Sequence, residues 1–281
     1  MPNAYVDLQT LKATGGLSLG TGTAYDSRLR SIIEDVSRQI DRYCNRTFFY
    51  SVRTQTFDGD GSQVLLVPDC ISIGSLREDT NMDGTYETTW ASADFVLYPL
   101  NSAPTSVDIA KPFSSIRVSE QSDGTEDSFI KGRRGYEIVG TWGYSKVSRD
   151  SGLNGTLANS TATALVLSAS STGTLEIGHT VLIDDELVCI TGTSGATTAT
   201  VTRALNGTTG TAHTDKDCNI IEYPGPVLEA CFIQGSRLWK RRDSGFASQI
   251  GFPESGQMVT WRGSLDPDVK GLLSPYRRVP L

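Results

Sequence analysis

The stretch from Ser151 to Glu222 constrains the fold of this chain more than any other part of the sequence. It holds 16 threonines in 72 residues and contains neither tryptophan nor proline. Short apolar runs alternate in it with turn residues, and β-branched residues are typical of strands. We therefore predict that residues 151–222 form a small all-β module, either a barrel or a sandwich.

The acidic charge of the chain is concentrated in the same module. Residues 151–222 contain seven acidic and two basic residues, so they carry −5 of the net charge of −7. A negative net charge argues against general nucleic-acid binding, although basic segments elsewhere must be judged separately. Hydrophobic residues make up 38% of the chain and charged residues 20%, which is typical of a folded globular protein.

Helix-forming segments stand on both sides of the module. Between Ala24 and Cys44, apolar residues recur at steps of three and four, which predicts a long amphipathic helix with Thr23 as its cap. A second helix is predicted from Pro226 to Arg242. A short third helix should begin at Asp266 and end before Pro275.

Residues 49–142 alternate short β-branched and aromatic runs with Asp-Gly turns, the pattern of hairpins in an antiparallel sheet. The predicted fold class is α+β: a helical body of the long N-terminal helix and the C-terminal helices, an antiparallel β-sheet and the inserted all-β module. An insertion is tolerated where its two ends lie close together. We therefore predict a discontinuous core of residues 1–150 and 223–281, with residues 151–222 as an autonomous insert.

Nothing in the sequence predicts catalysis or a bound cofactor. The five cysteines lack C-x-x-C spacing, and no nucleophile elbow, phosphate-binding loop or dinucleotide motif is present. We interpret His213 as a turn residue and the run Asp184–Glu186 as a solvated hairpin turn. The sequence also lacks an apolar window of membrane-span length and the layout of a secretion signal. We expect a non-enzymatic protein that is made in the cytoplasm and has no membrane partner.

One acidic segment resembles the beginning of a calcium loop. Asp79, Asn81 and Asp83 offer oxygen atoms on alternate residues, and Gly84 permits a sharp turn. The twelfth position is Trp90, whereas a calcium loop has a bidentate glutamate there. The sequence favours a hairpin tip held by Asx turns, with calcium binding as the alternative.

A basic run marks the end of the second predicted helix. Cations there suit the negative end of the helix dipole, so the run has a purely structural interpretation. It could equally form an electropositive patch that faces DNA in a channel or an acidic partner. The residues of this run are Arg237, Lys240, Arg241 and Arg242.

The order of these segments resembles the head-to-tail connector adaptor (head completion) proteins of tailed bacteriophages. The resemblance rests on AYVDLQTLKATGG, DSRLRSIIEDVSRQIDRYCNRTFF, VLLVPDCISIGSLRED, YEIVGTWGYS, PGPVLEACFIQGSRLWKRRDS and LDPDVKGLLSPYRRVPL. The module in turn is similar to small β modules of phage structural proteins. In those modules the positions of Arg203, Gly207, Thr208 and His213 recur as turn and core positions without an activity.

The resemblance implies a non-enzymatic ring, commonly of twelve copies, beneath the portal at the head-tail neck of a virion. Such a ring extends the channel through which DNA leaves the capsid and touches the exiting DNA transiently. The implied partners are the portal protein, further copies of the chain, and a stopper or tail-completion protein on the distal side. A different class of function stays open, namely a β-rich tail or surface protein that binds a host receptor or glycan through the module.

The resemblance also assigns roles to particular segments. Residues 264–281 would dock on the portal, and the alternative is a tail packed back on its own subunit. The predicted portal-binding residues are Leu272, Leu273, Tyr276, Arg277, Arg278 and Val279. The apolar stripes of the two long helices are predicted to join subunits through Ile33, Ile40, Leu238 and Trp239.

Overall fold

A computed structural model describes residues 1–13, 17, 19–20, 22–107, 110–120, 126–168, 174–195, 197–242, 249–252, 257–260 and 265–279. The chain divides into two compact units. The first unit comprises residues 1–45, 149–203 and 210–280, and the second comprises residues 46–148 and 204–209. This division follows other boundaries than the predicted insert, and the autonomy of residues 151–222 stays a prediction.

The second unit is built on an antiparallel sheet. Its strands are β1 (Ser51–Gly59), β2 (Val64–Glu78), β3 (Thr88–Thr89), β4 (Phe95–Tyr98), β5 (Phe113–Val118) and β6 (Gly132–Trp142). The strand order is β1-β6-β2-β5-β4, and β3 pairs with the end of β2. One face of the sheet is covered by a core that includes Trp90, Phe129, Tyr136, Ile138 and Trp142.

The first unit contains a closed six-stranded barrel. Its strands are β7 (Val147–Leu157), β8 (Ala164–Leu167), β9 (Thr180–Ile183), β10 (Glu186–Ser194), β11 (Thr198–Thr202) and β12 (His213–Glu222). They close in the order β10-β11-β8-β7-β12-β9. Small aliphatic side chains fill the interior, among them Leu157, Leu165, Val181, Val188 and Ile220. The threonine-rich composition is thus accounted for by short strands around a narrow aliphatic core.

Four α-helices belong to the first unit: α1 (Leu8–Ala13), α2 (Asp26–Cys44), α3 (Gly225–Arg241) and α4 (Pro267–Leu273). The three helices predicted from periodicity and caps are confirmed as α2, α3 and α4, within two residues at each end. A hairpin of β13 (Gln249–Phe252) and β14 (Gln257–Thr260) lies between α3 and α4. Among the described helices, none combines the length and apolarity needed to cross a membrane.

The predicted helical body was wrong, because the chain is mostly β. Among the described helices, only α2, with 19 residues, and α3, with 17, are long, whereas β2 alone runs for 15 residues and β6 and β7 for 11 each. The apolar runs VLLV and ISIGSLRE, which the hairpin pattern predicts as separate strands, belong to one strand, β2, which is interrupted by bulges. The helices therefore form one part of the first unit and not the body of the protein.

The start of α2 also differs from the prediction. Tyr25 occupies the N-cap position and makes no side-chain capping bond, so Thr23 does not cap this helix. Asp26 pairs instead with Lys12, with 2.8 Å between its Oδ1 and the lysine Nζ. Lys12 is only 3% exposed, and it also donates to the carbonyl oxygen of Gly22. The beginning of α2 is therefore fixed by a buried ion pair to α1.

Candidate functional site

The structure distributes the predicted functional residues over four places. These are the C-terminal segment with α4, the C-terminal end of α3, the helix α2, and the loop between β2 and β3. The first three lie in the first unit and the fourth in the second unit.

The C-terminal segment is attached to α3 of the same chain. Val269 and Leu273 are fully buried, and Asp266 caps α4 by accepting a hydrogen bond from the Asp268 backbone at 2.7 Å. The Asp266 backbone N–H donates to Gln234 Oε1 on α3 at 3.2 Å, and the Asp266 carboxylate pairs with Arg237. α4 is therefore held by an apolar face and an ion pair, with Leu273 inside the core of the chain.

The residues after α4 run along the C-terminal end of α2. The backbone N–H of Arg278 donates to the carbonyl oxygen of Cys44 at 2.8 Å, which satisfies one of the last carbonyls of α2. The guanidinium of Arg277 lies 5.1 Å from the ring centre of Tyr43. Val279, which is 82% exposed, extends beyond this contact.

The predicted portal-binding residues therefore fall into two groups. Leu273 is buried, and Leu272, Tyr276 and Arg278 are half-buried, whereas Arg277 and Val279 are exposed. Burial raises the pKa of the Tyr276 hydroxyl. Docking on a portal stays a prediction for all six residues.

The basic residues at the end of α3 also fall into two groups, one packed within the chain and one exposed. Arg237 forms the ion pair with Asp266, and Arg241 is half-buried. Lys240 and Arg242 are exposed, and the guanidinium of Arg242 lies 3.6 Å from the ring centre of Trp239. Part of the run thus serves packing, as the structural interpretation has it, and part of it faces outward.

The four residues predicted at subunit interfaces lie mostly inside the chain. Ile33, Ile40 and Trp239 are buried, and Leu238 is half-buried. A role between subunits stays a prediction for them. The close approach allowed by Gly235 occurs within the chain, because a Cβ atom there would lie 3.5 Å from Leu11 and 3.8 Å from Ile32.

The loop between β2 and β3 is organised by its own carboxylates. Asp79 accepts hydrogen bonds from the backbone of Asp83 at 3.1 Å and of Gly84 at 2.8 Å. Asn81 accepts from the Asp83 backbone and donates to Glu87. The backbone N–H of Thr85 lowers the pKa of Asp83. These bonds are the ones that Asx turns make at a hairpin tip.

The same loop brings three carboxylates together. Oxygen atoms of Asp79, Asp83 and Glu87 lie within 4.8 Å of one another, a spacing that could hold a metal ion. Glu87 was not among the predicted ligands, because it stands at the ninth position of the loop and not at the twelfth. Carboxylate groups at this spacing are also common without an ion, and calcium binding stays an alternative.

In the barrel, the interpretation of Asp184–Glu186 as a solvated turn holds only for its first two residues. Glu186 is 1% exposed, forms an ion pair with Arg203 and is hydrogen-bonded to His213, whose Nε2 lies 2.8 Å from its Oε2. The other ring nitrogen of His213 lies 2.9 Å from Asp184 Oδ2, and this bond lowers the pKa of Asp184. His213 begins β12 and is buried, so it is a core residue and not a turn residue.

Two carboxyl groups in the helical part have displaced pKa values. Burial raises the pKa of Asp41 to about 6, against the opposing hydrogen bond from Tyr5 and the charge of Arg38. Burial also acts on Asp7, but hydrogen bonds from His179 and Thr10 outweigh it and lower the pKa to about 2. Asp41 lies in the last turn of α2.

Comparisons with known proteins add one structural likeness. No protein-family model matches the sequence, and no curated protein matches it. A chain of the solved structure described as "Neck of empty GTA particle computed with C6 symmetry" is similar, with a TM-score of 0.43 and 14% sequence identity. The alignment covers 99% of this chain and 91% of that chain. A likeness of this extent does not establish a shared fold, so the proposals below rest on the residues of this chain.

Proposed function

We propose that the protein is a non-enzymatic structural adaptor of a tailed phage. Copies of it form a ring beneath the portal, join the head to the tail and extend the channel through which DNA leaves. Its partners are the portal protein, other copies of the chain and a stopper or tail-completion protein on the distal side. Its location is the head-tail neck of the virion.

The observation that carries this proposal is that the ordered C-terminal tail leaves an arginine and an apolar residue exposed at the end of α2. Apolar side chains and the pair between Arg237 and Asp266 fix α4 on α3, and the tail then reaches the end of α2. Arg277 and Val279 are left on the surface at that point. Arginine combined with an apolar neighbour on an ordered segment is typical of interface hot spots. In the adaptor family that the sequence resembles, this segment is the one that engages the portal.

The placement of charge supports the same function. The barrel segment, residues 151–222, carries a net charge of −5, whereas residues 223–281 contain eight basic and five acidic residues, a net charge of +3. An acidic barrel is suited to an outer rim away from DNA, and the basic helical part is suited to the portal or the channel. We propose that radial arrangement for the ring.

The alternative, a surface protein that binds a receptor or glycan, has less support. Glycan sites commonly use exposed aromatic rings as platforms. Residues 151–222 contain no phenylalanine, tyrosine or tryptophan, and Tyr223 at their border is buried.

Electron microscopy of the purified chain mixed with its portal tests the proposal. We expect an added ring of density on the tail-facing side of the portal, with one chain copy for each portal subunit. Portal particles without added density, together with binding of the chain to host cells, would instead support the receptor-binding alternative.

A further inference from the structure

The antiparallel sheet of the second unit has two free edges. Its strand order begins with β1 and ends with β4, and among the residues that the structure describes no second strand pairs with either of them. β1 pairs with β6, and β4 pairs with β5. An unpaired edge presents a row of backbone N–H and C=O groups that can bond to a strand of another chain. The sheet therefore offers two such edges, on opposite sides.

The outward backbone groups of β4 can be assigned to a residue. The backbone N–H of Ser119 donates to the carbonyl oxygen of Asp94 at 2.8 Å, immediately before β4 begins. Along an antiparallel pair, residues alternately direct both backbone groups toward the partner strand and away from it. Val96, opposite Arg117, therefore bonds to β5, whereas Leu97 directs its N–H and C=O to the free edge.

β4 also lacks the residues that usually protect an edge from pairing. Natural edge strands commonly carry lysine, another charged residue or proline. The four residues of β4, Phe95–Tyr98, contain no charge and no proline, and aromatic and β-branched residues are typical of paired strands. β4 is therefore suited to accept a further strand.

β1 offers a longer edge, of which the beginning is covered. The side-chain amide of Asn206 donates to the carbonyl oxygen of Tyr50 at 2.9 Å. Gly207 packs so closely on the carbonyl oxygen of Val52 that a Cβ atom there would overlap it. The rest of β1, residues 53–59, is longer than the four residues of β4. This part can accommodate the whole of β4.

We propose that β4 of one copy pairs with β1 of the next copy, so that neighbouring sheets join edge to edge around the ring. The inference rests on the proposed function, because the ring supplies the second copy. It places the subunit contact on another surface than the apolar stripes of α2 and α3. A head-to-tail contact needs two different surfaces on one chain, and the opposite edges of one sheet are such a pair.

The directions of the strands fit a ring. Four antiparallel steps lead from β1 through β6, β2 and β5 to β4, so β1 and β4 run in the same direction. Rotation about a ring axis preserves the direction of a strand along that axis, so β4 meets the next β1 as a parallel pair. Two β4 strands related by a two-fold axis would instead pair antiparallel and close a dimer. In the ring every chain uses both edges, and none is left exposed.

Disulfide trapping on the portal tests the inference. The double variant Val96→Cys with Thr54→Cys places one thiol at each edge on the open face of the sheet, because Leu97 and Gln55 beside them pair with the core residues Ile116 and Ile138. The described native cysteines are all buried, so they should contribute little background. After oxidation of the portal-bound chain, we expect a ladder of linked multimers on a non-reducing gel. Val96→Cys with Thr56→Cys samples the next position of the same face.

The matched control for trapping is Val96→Cys with Val139→Cys. Val139 is 37% exposed, against 36% for Val96, and it lies on the same face. It belongs to β6, one strand inside the edge, so its thiol is out of disulfide reach of the neighbouring β4. This variant should give no ladder.

A second pair of variants tests the backbone bonds themselves. Leu97→Pro removes the outward N–H without touching the bonds between β4 and β5, whereas Leu97→Ala keeps that N–H. Both variants lose the leucine side chain, so their difference reports on the edge. We expect the proline variant to sediment with the portal at least about fivefold more weakly than the alanine variant.

Three results would overturn the inference. They are rings on the portal without a ladder in either cysteine pair, linked dimers in Val96→Cys alone at the yield of the double variant, and equal portal binding of Leu97→Pro and Leu97→Ala. The second result would indicate that two β4 edges meet. Electron microscopy reads the proposed function separately: wild-type rings on the portal together with any of these results contradict this inference alone, whereas a portal without rings contradicts the proposed function itself.

Discussion

The two ends of α2 carry the same pair of residue types in different settings. At each end an arginine lies over a tyrosine, Arg242 over Tyr25 at the beginning and Arg277 over Tyr43 at the end. The 19 residues of α2 separate the two sites by about 28 Å. At the beginning, the described contacts of Tyr25, Trp239 and Arg242 are between side chains, whereas at the end the backbone N–H of Arg278 donates to the carbonyl oxygen of Cys44.

The dipole of α2 acts oppositely on cations at its two ends. Cations at the C-terminal end of α2 are favoured by its dipole, so Arg277 and Arg278 help to hold the tail where it is. Arg242 is favoured by the end of α3 but not by the beginning of α2, where an anion would be stabilised. The comparison shows that Arg277 and Arg278 partly order the tail, whereas Arg242 is stacked on the rings of Trp239 and Tyr25.

Removal of the C-terminal segment should have the largest effect on stability. A chain ending at residue 264 loses the burial of Leu265, Val269 and Leu273 together with the Asp266 ion pair. Each buried aliphatic side chain contributes about 2 kcal/mol or more, so the loss should exceed about 5 kcal/mol in urea unfolding. A truncated chain with an unchanged unfolding midpoint would show that α4 is not packed on α3.

The next largest effect is a difference in stability between variants of two basic residues on α3. Arg237→Met leaves the buried carboxylate of Asp266 without its ion pair, which should cost about 2 kcal/mol. Lys240→Met, three residues further, removes an exposed charge and should change stability by less than about 0.5 kcal/mol. Equal losses in the two variants would contradict the division of the basic run.

Stability near the end of α2 should depend on pH through Asp41. Because the folded pKa is raised to about 6 from the usual 3.8, the favourable protonated state contributes stability below pH 4 that is lost as pH rises through 6. We expect the difference in unfolding free energy between wild type and Asp41→Asn to change by about 2 kcal/mol between pH 4 and pH 7.

The comparison between these two proteins cancels groups that both share. A pH-independent difference would mean that Asp41 is not buried as the structure has it.

The smallest effect on stability is expected at the tip of the tail. Arg277→Ala removes one exposed arginine from the ring of Tyr43, which should cost about 0.5 kcal/mol or less. Thermal unfolding should therefore barely change. A loss of several kcal/mol would mean that Arg277 belongs to the core of the chain and is not available to a partner.

The local structure could be predicted from the sequence where one segment contains the whole signal. The apolar periodicity of α2 matches its buried residues, and Asp266 followed by Pro267 marks the beginning of α4. The predominance of strands over helices could not be predicted in the same way. β7 carries the polar residues 148–152 near its beginning, and β2 contains Pro68, so neither follows a simple strand pattern.

The candidate sites were harder to predict, because their residues meet across the sequence. Arg237 and Asp266 come together only when α4 packs on α3. Tyr25 and Trp239 have their rings in contact although they are more than two hundred residues apart in the sequence. The burial of Glu186 likewise depends on Arg203, which follows β11, and on His213 of β12. Spacing within one segment contains no information about such pairs.

The central claim is that the tail at the end of α2 binds the portal, whereas Lys240 and Arg242 at the end of α3 do not. Its most direct test is sedimentation of the portal with two double variants, Arg277→Ala with Arg278→Ala and Lys240→Ala with Arg242→Ala. We predict that the first variant loses the portal in a salt-dependent way, whereas the second keeps it. If both variants bind the portal with wild-type affinity, or if both lose it equally, the claim is contradicted.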